Sequence, residues 1–421
     1  MQGSCSQQEV QLPQPGIPGF TPALVTALNA SPYLRGWPVD GTLTAVLLLA
    51  LMARRGGVLI EATNVPKVAK VAGAHTASVF GLETRFVHLS SSSVASDVAL
   101  DARRPSGSSA AIDLFELPEA RDSIPAHRPG RAIVVTGLEG APPSVLVRLR
   151  SEVAAAEREG NVPLIIWVRD EDRPDEAPSW LIDMFACFML LYADDLATPR
   201  RHLSVTALIP PDYIRDLRSL LLLTHIHPPL ESHINNLLAA LSLHPSLEAN
   251  LSARATASLS TLVKAQRILA GTFDLPDGWQ DNLHAWQAAK SAQAEYDAGA
   301  GSTLPASALR SRVMGDVAGY GGGPGGVDTW SQRAGETPTP VEMLGPGAND
   351  WYCDPGNVEA AWELAVRHRV RSRQPGQAPL FALDGSAQER LQYARQRHTK
   401  ETARQQRKEV DDALVQVLHE V

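Results

Sequence analysis

Paired cysteines are missing from this sequence. Cys5, Cys187 and Cys353 are odd in number and widely separated, with no CxxC or Cys/His ligand spacing. That excludes a disulfide framework and argues for a reducing compartment, the cytoplasm, with the nucleus as the alternative. Long apolar runs are missing too. "TLTAVLLLALMA" from Thr42 and "LIDMFACFMLLYA" from Leu181 fall short of the roughly 20 residues that cross a bilayer, and both read as core helices. Residues 1–19 carry neither a basic n-region nor an apolar h-region, so a disordered arm is expected there and not a secretion signal. There is no basic excess: 38 Lys and Arg stand against 46 Asp and Glu, a net charge of −8. Such a field repels nucleic acid and anionic membrane, which leaves proteins, in an oligomer or a scaffold, as the expected partners. Catalytic signatures of the G-x-S-x-G, H-E-x-x-H or Cys/His kind do not occur. No metal is expected either, because His225, His227 and His233 lie among proline and apolar residues with no carboxylate at ligand spacing.

What is present is alternation. With 421 residues, 44% hydrophobic and 20% charged, the chain has the composition of a globular protein of more than one domain, and 31 glycines and 31 prolines imply sizeable irregular segments. After a buried helix near Leu43–Ala53, "RRGGVLIEA" reads as a parallel-sheet strand. Loop, helix and strand then repeat through "RFVHLS", "RAIVVTG" and "VPLIIWVRD". This predicts a doubly wound α/β layer over residues 20–205. From Pro210 the apolar period changes to three and four, which predicts a small helical domain over 206–295. Residues 296–349, with "GYGGGPGG", lack the apolar surface to order themselves and read as a flexible insertion. Helix resumes over 350–384, where Asp354 is placed to cap and Pro355 to take the first helical position. Residues 385–421 read as a charged terminal helix, solvated in the simplest case and docked in the alternative.

The helical segments carry a resemblance. His233-Ile234-Asn235-Asn236-Leu237-Leu238, the turn His244-Pro245, and Ser252-Ala253-Arg254-Ala255 follow one another in the first segment, and Val358, Val366, His368 and Arg369 stand in register in the second. Together they resemble the lid of AAA+ ATPases of the magnesium chelatase subunit I and MoxR branch, over about 65 residues on both sides of the insertion. The resemblance implies an AAA+-like parallel sheet flanked by helices and followed by a helical lid. It also implies that Arg254, in the S-x-R-A signature, is a sensor reaching from the lid to the terminal phosphate of a nucleotide. A planar cation at a helix start suits that role.

The rest of the family's nucleotide machinery departs from the pattern. A phosphate loop needs glycines so that backbone N–H groups can cradle the anion, yet after "GVLIEA" stand Thr63-Asn64-Val65-Pro66-Lys67-Val68-Ala69-Lys70. Lys67 or Lys70 could meet an anion without that cradle, although an ordinary helix start is the simpler reading. The expected metal-binding Asp-Glu pair is replaced by Thr136, Gly137, Leu138 and Glu139, and the family's L-x-D-R-F by Leu181-Ile182-Asp183-Met184-Phe185. Arg169 and Asp170 stand where a polar sensor would end its strand. Hydrolysis needs phosphates, metal and cations positioned as a unit, so the expectation is a degenerate module without a cofactor. In it Arg254, Lys67 and Glu139 are vestigial cofactor-binding residues, and Glu139 is a candidate partner for Arg254 across the cleft. The alternative is an ATP-dependent motor subunit of a magnesium chelatase-like complex, holding ATP and Mg²⁺ with atypical residues.

Overall fold

A computed structural model describes residues 11–34, 36–54, 56–89, 130–158, 162–171, 177–198, 207–249, 251–273, 275, 351–372 and 400–420. Strand β1 (Gly57–Ala62) forms where two glycines admit neighbouring backbone. A Cβ on Gly56, at φ 77°, or on Gly57 would stand 2.0 Å from a carbonyl oxygen, of Met184 and Ile165 respectively. All six residues of β1 are buried, as a parallel sheet covered on both faces requires. Its partners are β2 (Glu83–His88), β3 (Arg131–Thr136), β4 (Leu164–Asp170) and β5 (Phe185–Leu191), in the order β2-β3-β4-β1-β5, all parallel.

Alternate residues face opposite sides of the sheet. Leu59, Ile133, Val135, Ile165 and Trp167 pack on one side against Leu146, Leu149 and Val153 of a covering helix, Pro143–Arg158. On the other side lie α1 (Phe20–Asn29), α2 (Gly41–Ala53) and α3 (Val65–Ser78), which makes the covering helix α4. Helix α2 is buried on nearly every side, as its apolar run predicts, and starts where Asp40 Oδ1 accepts from Leu43 N at 2.6 Å.

The second apolar run is a correction. "LIDMFACFMLLYA", read above as a core helix, is mostly β5, preceded by the one-turn α5 (Ser179–Ile182). A strand buried on both faces shows no alternation, so its periodicity cannot be told from that of a buried helix.

Beyond the sheet come α6 (Pro211–Leu220), α7 (Pro228–Leu243), β6 (Leu247–Ala249), α8 (Ala253–Ala270), α9 (Pro355–Val366) and β7 (Val370–Ser372). The segments before and after the glycine-rich stretch meet, because α8 packs on α9 and β6 pairs antiparallel with β7. Asp354 and Asn357 form a reciprocal capping box at the start of α9. The α/β fold, a parallel five-stranded sheet flanked by helices with a helical region after it, is consistent with an AAA+-like architecture.

The last helix, α10 (Lys400–Glu420), is docked and not solvated, with Val410, Ala413, Leu414 and Val417 buried. Residues 11–19, expected to be disordered, run as turns in which Pro13 O accepts from Tyr213 Oη at 2.7 Å. Contacts divide the chain into two units, Met1–Thr272 with Tyr352–Val421, and Phe273–Trp351. In the second unit the rings of Phe273 and Trp351 are 4.5 Å apart. The insertion expected at 296–349 lies outside the described residues, as do 276–295 and 373–399. Among the described residues no helix is long and apolar enough to cross a membrane.

Candidate functional site

Open parallel sheets bind ligands beyond the C-terminal ends of their strands, and in this chain that edge is built at β1. Only Thr63 and Asn64 separate β1 from α3. Asn64 Oδ1 caps α3 by accepting from Lys67 N at 3.1 Å, and Pro66 lies in the first turn. Thr63 Oγ1 accepts from Ala193 N at 3.2 Å. Lys67 Nζ donates to Ala193 O at 2.5 Å. The turn is thus stitched to the segment after β5, and it offers no glycine cradle for phosphate.

Beside it lies an ion network. Glu61 on β1 and Arg169 on β4 are register partners and each is 4% exposed. Arg169 donates to Glu61 Oε1 through Nη2 at 2.5 Å and Nε at 3.2 Å. Arg407, reaching in from α10, places Nη2 3.0 Å from Glu61 Oε2 and donates to Glu171 O at 2.5 Å, while its Nη1 stands 3.5 Å from Glu171 Oε2. Two carboxylates thus meet two guanidiniums, and burial of charge is tolerable only when paired in this way. The Arg169 guanidinium also lies 5.4 Å from the centre of the Trp167 ring. Trp167 Nε1 in turn donates to Glu139 Oε2 at 3.3 Å.

The opposite edge, before β5, holds a second cluster. Ser252 caps α8, its Oγ accepting from Arg254 N and Ala255 N, and the same hydroxyl donates to Asp183 Oδ2 at 2.6 Å. Arg369 Nε donates to Asp183 Oδ1 at 3.0 Å, Nη2 to Phe185 O at 2.8 Å, and Nη1 to Ala365 O. Burial lowers the pKa of Arg369, the Asp183 carboxylate opposes that shift, and the nearby charge of Arg254 adds to it. A His368 ring nitrogen lies 2.9 Å from Phe185 O. Burial, more than the adjacent Arg369, drives this imidazole well below its ordinary pKa, so it stays neutral.

The three residues expected to form a site are therefore not brought together. Lys67 and Glu139 follow the C-terminal ends of β1 and β3, whereas α8, with Arg254 in its first turn, starts beside Asp183 at the N-terminal end of β5. The pairing expected between Arg254 and Glu139 would join opposite edges of the sheet across three strand positions. Met184, at the place of the family's arginine, is a buried core residue.

No sequence motif points to Glu61 or Arg407, and none gives Arg169 a role. A signal existed for two of them: "VLIEA" and "IIWVRD" each carry one charge near the end of an apolar strand, with opposite signs on adjacent strands. Arg407, in a helix rich in charge, offered none. Among the described residues no cluster of three or more His, Cys, Asp or Glu that could hold a metal ion occurs. His227 instead stacks on Tyr352 with ring centres 4.1 Å apart.

No protein-family model matches the chain, and no curated protein matches it. Solved structures do, among them a Cytophaga hutchinsonii protein named as a suspected ATPase, at 14% identity and a TM-score of 0.35, covering 56% of this chain and 77% of that one. The fold assignment therefore rests on the parallel sheet and the helical region themselves.

Proposed function

We propose that this chain is a degenerate AAA+-like module of the magnesium chelatase subunit I and MoxR type, which hydrolyses no nucleotide and acts as a partner-binding or scaffold subunit. The observation that carries the reading is the network of Glu61, Arg169, Arg407 and Glu171 at the edge where a parallel sheet would present a ligand. Its charges are paired within the chain, and the adjoining turn at Thr63 and Lys67 is tied to Ala193. A phosphate would have to displace these contacts without a glycine cradle to receive it. Arg254 supports the same reading. It lies in the first turn of α8, whose cap Ser252 is bonded to Asp183 at the base of β5.

Phosphate release from Mg·ATP by the full chain and by Arg254→Ala tests the proposal. Both are expected at the level of the blank, with the variant melting at a lower temperature. Turnover by the wild type that vanishes in a variant of unchanged stability would overturn it.

A further inference from the structure

We infer that α10 is a built-in strap, a helix that holds the region formed by α7, β6 and β7 against the C-terminal edge of the sheet. The inference deepens the proposed function and rests on that reading, because Arg407 of the strap enters the edge at which an open parallel sheet would present a ligand.

The helix makes two sets of contacts with one face. Arg407, Val410, Asp411, Leu414 and Val417 recur at intervals of three and four, the spacing of a single helical stripe. At the first of these positions Arg407 enters the sheet edge, between Glu61 at the end of β1 and Glu171 just after β4. The following turns lie on the helical region, where α10 packs against α7 and β7. There Asp411 pairs with Arg367, and Glu409 Oε2 accepts from Ser372 Oγ at 3.2 Å. Helix α10 is one continuous element of 21 residues, so the guanidinium and the apolar stripe are carried on one rod. Glu61 keeps Arg169 when Arg407 leaves, which makes the strap separable from the sheet itself.

Hydrogen exchange on the full chain tests the strap. In Arg407→Ala, exchange over α10, α7 and the β6–β7 pair should accelerate about tenfold, as expected for losing one hydrogen bond to a charged group. Strands β1, β3 and β4 should exchange as in the wild type. Should Arg407→Ala fail to fold, Asp411→Arg, which sets a like charge beside Arg367, gives the same readout. Faster exchange confined to α10, or no change at all, would overturn the inference. Mg·ATP added to the wild type should leave exchange unaltered. Protection of Thr63–Lys67 by Mg·ATP would contradict the proposed function while leaving the strap to be judged on the variants.

Discussion

The two edges of the central sheet bury charge in different ways. At the C-terminal edge two carboxylates, Glu61 and Glu171, meet two guanidiniums from separate elements, β4 and α10, so removing one partner leaves Glu61 with another. At the N-terminal edge of β5 the connection converges on Asp183 and on Arg369, which is 2% exposed and donates to Asp183, Ala365 and Phe185. At the first edge two guanidiniums share one buried carboxylate, whereas at the second Arg369 makes most of the bonds and Ser252 Oγ adds one to Asp183. Under the proposed function the redundant pairing closes the ligand edge of the sheet, while Arg369, with Ser252 beside it, ties the helical region to the base of β5.

Breaking the anchor should therefore cost most. Arg369→Ala leaves Asp183 and the Phe185 carbonyl without that donor, and is expected to destabilise the fold by about 3–5 kcal/mol in a denaturant titration. A loss as small as that from deleting an exposed charge would remove the contrast between the edges.

Acid provides the next largest effect. His75 on α3 is fully buried, bonded to Thr44 Oγ1 at 2.9 Å, and burial pushes its pKa down to about 3. The unfolded chain takes up this proton near pH 6.5, well before the folded one does. The stability associated with neutral His75 is thus whole above pH 6.5 and declines as pH falls toward 3. Between pH 7 and pH 5 the loss is about 2 kcal/mol from this residue, and the buried His368 adds to it in the same direction. Equal denaturation midpoints at the two pH values would contradict the burial of both imidazoles.

The smallest effect belongs to the cap. Ser252→Ala removes the acceptor for two N–H groups of α8 and the donor to Asp183, and should lower stability by about 1–2 kcal/mol while Arg369 still holds the carboxylate. Thermal melting of Ser252→Ala beside Arg369→Ala ranks the two, and a reversed order would move the anchor to the cap.

The fold was legible where the pattern repeats. Strand and helix alternation marks the parallel layer, and Asp354 and Pro355 mark the start of α9. Strand β5 was hidden because seven residues buried on both sides carry no alternation. The three-residue strands β6 and β7 were hidden because their pairing is antiparallel across more than a hundred residues of chain, which no local pattern records. At the candidate site the sequence showed that the glycine loop is missing, but not what stands there. The partners of Glu61 come from β4 and from a terminal helix more than 340 residues later, and only the fold brings Arg407 to β1. Arg254 was placed by resemblance in a cleft with Glu139, yet the anchoring of α8 on Asp183 starts its helix at the other edge.

If the chain's own charges close the ligand edge, as proposed, a nucleotide finds no place there. A calorimetric titration of the full chain with Mg·ATP, at protein concentrations high enough to register weak binding, measures it directly. No heat beyond dilution is expected. Saturable binding with a dissociation constant in the micromolar range would contradict it, because such a ligand must displace Arg407 from Glu61 or Lys67 from Ala193.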